Sequence, residues 1–200
     1  MSDKKEKWDY YTHIWKTEAA YLSWIRGRIR SIWATSPQRS EFIKSQSLKL
    51  PKYDEKGEPS RYKNGKIKSY KAFRCNECKT ICYDCDKISG RKTYAVDHKV
   101  GNHSLRTFDQ APVFFDAMLR VKAEDLQILC NECHSIKTYA ERYDMSLEDA
   151  KIYKIAIKIC NQKEDKEFFT QRNLLIPSSE PRRKKAIIEY LKKESKKNND

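Results

Sequence analysis

Asp97-His98 and, further along the chain, Cys130-Asn131-Glu132-Cys133-His134 are the residues whose types and spacing could do chemistry. A carboxylate beside a histidine, followed by a C-x-x-C-H, allows a division of labour. Asp97 and His134 can hold a divalent cation, while His98 stays free to take a proton from water. The two cysteines need a second pair to close a tetrahedral zinc site, and Cys75-Asn76-Glu77-Cys78 offers one upstream. A structural metal and a hydrolytic site would then share one small hairpin-helix unit. Such a pairing suits cleavage of phosphodiester bonds. A cation on the scissile phosphate relieves charge at phosphorus and on the leaving oxygen, and an imidazole can deprotonate water near neutral pH. One carboxylate and one imidazole leave coordination positions for water and phosphate. That ligand set suits Mg2+ or Mn2+, and the imidazole also permits Ni2+ or Zn2+.

The zinc pairing has competitors. Cys82-Tyr83-Asp84-Cys85 is a third C-x-x-C, and three pairs compete for one four-ligand site. The set Cys75, Cys78, Cys130 and Cys133 is favoured, because Phe73, two places before Cys75, reads as the end of a strand leading into a metal knuckle. The other register also satisfies the spacing. Cys160 and His103 could serve a second zinc; the plainer readings are a small buried residue on a helix for Cys160 and a loop histidine for His103.

These residues sit in a polar chain. Of 200 residues, 38% are hydrophobic and 35% charged, so the core is modest and a metal staple is expected to help it. Lys and Arg number 42 against 28 Asp and Glu, a formal net charge of +14, which suits a polyanionic partner such as DNA. No stretch is apolar enough for a membrane span, and the N-terminus is charged without the apolar core of a signal peptide. Seven cysteines in such a chain favour metal ligation in a reducing compartment, the cytoplasm.

The elements that must position the site follow from periodicity and breakers. Residues 1–37 are predicted to be an N-terminal amphipathic helix over 7–35, with Trp8, Trp15, Leu22 and Ile29 as its stripe and Tyr11, Ile25 and Ile32 beside it, ended by Pro37. Residues 38–70 read as an irregular basic connector containing Pro51, Gly57, Pro59 and Gly65. From Gln38 to Arg74 there are eleven Lys/Arg and four Asp/Glu, a net of +7. Tyr53, Tyr62 and Tyr70 are interleaved with the lysines, as on surfaces that track a nucleic-acid backbone, with Lys63, Lys66 and Lys68 as contacts; a solvated linker is the plainer alternative. Residues 71–145 hold the core. Strands at 72–74 and 93–96 flank the first knuckle, with a turn at Ser89-Gly90 between them. A helix over 111–122 carries Phe114, Phe115, Met118 and Leu119, and another helix covers 134–143. Lys99 and Lys137 lie beside the candidate site as phosphate contacts. Residues 146–200 form a helical extension. Ser146 caps a helix with Asp149 three residues on, whose apolar face is Leu147, Ile152, Ile155 and Ile159. A last helix covers 182–193, and the final eight residues are a disordered tail.

Tyr94-Ala95-Val96-Asp97-His98, with Asp125-Leu126-Gln127-Ile128-Leu129-Cys130-x-x-Cys133-His134-x-x-Lys137-Thr138, resembles the HNH endonuclease motif, closest to phage-encoded HNH proteins. The specific motif covers residues 73–138, and no resemblance extends into the C-terminal fifty residues. The resemblance implies an α+β fold, a small ββα-metal core with a four-cysteine zinc site flanked by N- and C-terminal helices. It implies metal-dependent hydrolysis of DNA in the host cytoplasm, Asp97 and His134 as catalytic metal ligands, and His98 as general base. It implies no small-molecule cofactor, and the terminal helices are where a phage protein partner would dock. Asp125 stands where the family usually has an asparagine that orients the base. An aspartate there could still accept a histidine N–H, raising rather than lowering the base's pKa. The alternative is a non-catalytic zinc-knuckle module that binds nucleic acid without cutting it; within nucleases, a structure-specific or RNA-directed enzyme is the other reading.

Overall fold

The computed structural model describes residues 13–83, 93–101 and 104–197. Trp8, Tyr11, Cys85, the Ser89-Gly90 turn, His103 and the last three residues lie outside them. The chain is mixed α+β and divides into two compact units, Met1–Asn131 and Glu132–Asp200. The division falls inside the second C-x-x-C loop, within the segment 71–145.

In the first unit, α1 spans Glu18–Ala34 and α2 spans Pro37–Ser45. Thr17 caps α1, its hydroxyl accepting from the Ala20 N–H at 3.2 Å. Pro37 does more than end a helix. It occupies the first turn of α2 behind the Ser36 cap, where its fixed φ suits the helix and its missing N–H has no intrahelical partner to lose. Leu22 and Ile29 of the predicted stripe are buried, with Trp33, whereas Ile32 is exposed. Leu22 and Ile29 pack with Leu105 and Phe114, the latter on α3 (Ala111–Leu119). Phe115, on the same helix, is exposed; it neighbours Phe114 and so points away from it on a helix.

Two sheets follow. β1 (Leu48–Pro51), β2 (Ser69–Arg74) and β3 (Ile81–Tyr83) form one antiparallel sheet in that order. β4 (Tyr94–His98) and β5 (Leu126–Cys130) form the other, also antiparallel, with Asp97 opposite Gln127 and Tyr94 opposite Cys130. The strand at 94–98 therefore pairs with the strand before the second C-x-x-C, not with the one before the first. Phe73 and Tyr94, both buried, put ring centroids 4.1 Å apart and join the sheets.

The stretch expected to be an irregular connector is ordered. Beyond the β1–β2 ribbon it makes two short hairpins, with bridges Tyr53–Pro59 and Arg61–Ile67. They spring from a three-way backbone junction in which Lys52 N–H donates to Lys68, Ser60 N–H to Lys52 and Lys68 N–H to Ser60, each at 2.8 Å. Gly57 and Gly65, read as breakers, sit at φ +81° and +82° in the two turns, a conformation that glycine adopts without a Cβ penalty. Glycines at hairpin turns terminate strands by returning the chain.

In the second unit, α4 (Asn131–Tyr143, begun one residue earlier) leads to α5 (Leu147–Asn161), α6 (Asp165–Thr170) and α7 (Glu180–Lys197). Ser146 caps α5 as its sequence predicts, accepting from the Asp149 N–H at 3.0 Å. The buried face of α5 runs through Ile152, Ala156 and Cys160, spaced four apart, while Leu147 and Ile155 are exposed. These residues pack with Phe168, Phe169, Ile187 and Ile188. α7 continues to Lys197, through most of the segment expected to be a disordered tail. Among the described residues, no helix is long and apolar enough to cross a membrane.

Asp165 is the one buried charged residue among those described. The Arg183 guanidinium holds its carboxyl below the usual carboxylate range, and the same guanidinium donates to the Pro177 carbonyl at 3.1 Å. Removing one partner of such a pair strands the other in an apolar setting. Arg183→Met is therefore expected to destabilise α5–α7 by about 3 kcal/mol at neutral pH, read as faster hydrogen exchange of their amides. A depressed folded-state pKa stabilises above the unfolded value and loses that contribution as pH falls through the folded one. The gap between wild type and variant should therefore narrow on acidification; an equal gap at all pH values would remove the ion pair as its cause.

Candidate functional site

Four sulfurs, those of Cys75, Cys78, Cys130 and Cys133, lie within 4.8 Å of one another. Two main-chain devices bring the first pair to the second. The first knuckle turns tightly after Cys78, with Lys79 at φ +61° and its N–H donating to the Cys75 carbonyl at 3.1 Å. Asn76 then docks on the middle of β5. Its N–H donates to the Ile128 carbonyl at 2.7 Å, and its side-chain oxygen accepts from the Ile128 N–H at 2.8 Å. The Cys130 N–H donates to the Cys75 sulfur, 3.3 Å away. Cys133 follows in the first turn of α4, three residues after Cys130.

The donor set fits zinc. Zinc holds thiolates at about 2.3 Å in a tetrahedron, whose edge is then about 3.8 Å. The Cys78 and Cys130 sulfurs are 3.8 Å apart. Cys82, whose pair competed for this site in the sequence, is buried on β3 behind the group. Burial first, and then the neighbouring Cys130, Cys75 and Cys78, push its thiol up to about 11. Cys82 therefore behaves as a neutral packing thiol beside the four. Cys160 belongs to the apolar core of the second unit, and burial raises its thiol as well, in keeping with the plainer of its two readings.

The carboxylate-histidine pair ends β4. Gln127, directly across the ladder, donates its side-chain amide to the Asp97 carboxylate at 3.1 Å and fixes its rotamer. His98 lies against Trp33 of α1, ring centroids 4.9 Å apart, and its Nε2 is buried. Immediately after it, the Lys99 N–H donates to the Asp125 carbonyl at 2.7 Å, closing the ladder at this end. The Asp125 carboxylate accepts from the Lys122 N–H at 2.9 Å. Asp125 thus secures the segment behind His98 through its main chain, while its side chain holds its own turn. His134 lies next to Cys133 in the first turn of α4.

Gln127, Asn76 and Trp33 were not legible as site residues. Each becomes one through strand register or long-range packing, which no local pattern encodes. Of the basic candidates, Lys63, Lys66 and Lys99 are exposed and Lys68 is half-buried. Lys137 is paired with Glu141, and its side chain is only 14% exposed, so it is poorly placed to reach a phosphate. Comparison of the chain with protein-family models, curated proteins and solved structures finds no match to any of them.

Proposed function

We propose that this chain is a zinc-stapled, metal-dependent endonuclease of the HNH type that hydrolyses phosphodiester bonds in DNA. The observation that carries the reading is the hairpin of β4 and β5. Asp97-His98 closes its first strand, and its second strand runs through Cys130 into α4, whose first turn carries Cys133-His134. A structural zinc site needs no carboxylate held by a cross-strand glutamine, nor a histidine seated against an indole.

In this reading Asp97 and His134 hold a divalent cation, Mg2+ or Mn2+, with Ni2+ or Zn2+ as further candidates. The cation supplies charge relief at the scissile phosphate and at the leaving oxygen. His98 takes the proton from the attacking water. Gln127 keeps the Asp97 carboxylate aimed. Lys99, exposed beside His98, attracts the phosphate backbone, and the reducing cytoplasm that preserves the cysteine thiolates is the matching compartment.

The test is conversion of supercoiled plasmid to nicked or linear DNA by the purified zinc-loaded chain. Cleavage is expected on adding Mg2+ or Mn2+ and not in their absence. No cleavage with any of the four cations, alongside intact DNA binding, would replace this reading with that of a zinc-knuckle binding module.

A further inference from the structure

Charge divides between two consecutive segments, and the fold makes a hairpin of each. Residues 53–60, the first hairpin, carry Asp54, Glu55 and Glu58 against Lys56. Residues 61–74, the second hairpin and its return strand, carry six Lys/Arg and no acidic residue. The three-way junction at Lys52, Ser60 and Lys68 holds these as two distinct lobes. The second lobe is tightly built. The Tyr62 N–H donates to the Lys66 carbonyl at 2.8 Å, the Gly65 N–H to the Tyr62 carbonyl at 2.9 Å, and the Arg61 guanidinium to the Gly65 carbonyl at 2.9 Å.

One of its lysines, and Lys52 of the junction, lie against its rings. Lys68 Nζ lies 5.6 Å from the Tyr62 ring centroid, and Lys52 Nζ lies 4.4 Å from that of Tyr70. Tyr62 remains 57% exposed. A surface that needed only phosphate contacts would gain nothing from holding an aromatic ring in water beside its lysines. A ring so placed can stack on a base whose face is open. In a duplex the base faces are covered by their neighbours. In a single strand they are not, and every base has one.

We infer that the 61–68 hairpin is a grip for single-stranded DNA, with Tyr62 as the stacking platform and Lys63, Lys66 and Lys68 holding the adjacent phosphates. The choice of DNA rests on the proposed endonuclease reading; the single-stranded preference rests on the hairpin alone. The acidic first hairpin repels phosphate, so Tyr53, although 60% exposed, takes no part.

The test measures binding of the full chain, without added Mg2+ or Mn2+, to labelled oligodeoxythymidine, oligouridine and a short duplex. Tyr62→Ala is expected to weaken oligodeoxythymidine binding about tenfold and to leave duplex binding unchanged, and Tyr62→Phe should retain the wild-type affinity. Tyr53→Ala should change neither. Replacing Lys63, Lys66 and Lys68 by Gln should weaken both ligands and flatten the salt dependence by up to about three phosphate contacts. Zinc content of each variant reports that it has folded. Equal loss on duplex and single strand in Tyr62→Ala, no loss at all, or an equal loss in Tyr53→Ala overturns the grip. Tighter binding of oligouridine overturns its assignment to DNA. These outcomes do not depend on cleavage, so a chain that binds as expected and never cuts sinks the nuclease reading alone.

Discussion

His98→Ala is expected to lower plasmid cleavage by roughly 10²–10⁴-fold, the usual cost of losing a general base, while DNA affinity and zinc content stay near wild type. The expectation comes from the position of the side chain. His98 ends β4 beside the aimed carboxylate of Asp97, and the Lys99–Asp125 bond locks the chain directly behind it. Its ring also packs on Trp33, so truncation removes a packing contact as well as a base. Two measurements separate these effects. Hydrogen exchange across β4 and β5 reports the packing. The pH dependence of the residual rate reports the chemistry, because hydroxide from solution must replace the missing base and the rate should climb with pH. A variant that cuts at nearly the wild-type rate removes His98 from the base role. A variant with lost protection and lost zinc would mean that the ring acts by holding the hairpin.

Removing the metal from the four-cysteine group is expected to have the largest structural effect. Zinc binding in small modules is worth roughly 10–16 kcal/mol, which exceeds the whole stability of many domains. Pairing Cys75→Ser with Cys130→Ser should abolish stoichiometric zinc and release the amides of β2–β5. The amides of α5–α7 should keep their protection, because their core of Ile152, Phe168, Phe169 and Ile187 is separate. Cys82→Ser should keep its zinc, since Cys82 lies outside the four-sulfur set. Loss of zinc in Cys82→Ser, with retention when Cys75 is replaced, would overturn this ligand assignment. Acidification should release the metal too, because protons compete for the thiolates.

The features legible in the sequence are those encoded within a few residues. Ser146 with Asp149 announced the start of α5, because a cap is a local hydrogen bond between a hydroxyl and an N–H three positions on. The burial of Leu22 and Ile29 was readable from periodicity, and the two C-x-x-C loops were readable because a metal constrains ligand spacing. What tertiary structure alone decided depended on where the chain returns. Cys75 and Cys78 join Cys130 and Cys133 because Asn76 docks on Ile128, a contact between residues far apart in sequence. Gln127 holds Asp97 only because β4 and β5 pair in one register; a slip of one residue would turn its side chain to the other face of the sheet. The two hairpins were hidden for a related reason. Glycine permits a left-handed turn as readily as it breaks a strand, and the junction of Lys52, Ser60 and Lys68 decides between them by satisfying the backbone. Asp165 shows the same limit. A lone aspartate in a polar chain reads as a surface residue, and only the fold, by bringing Arg183 to it, lets the charge be buried.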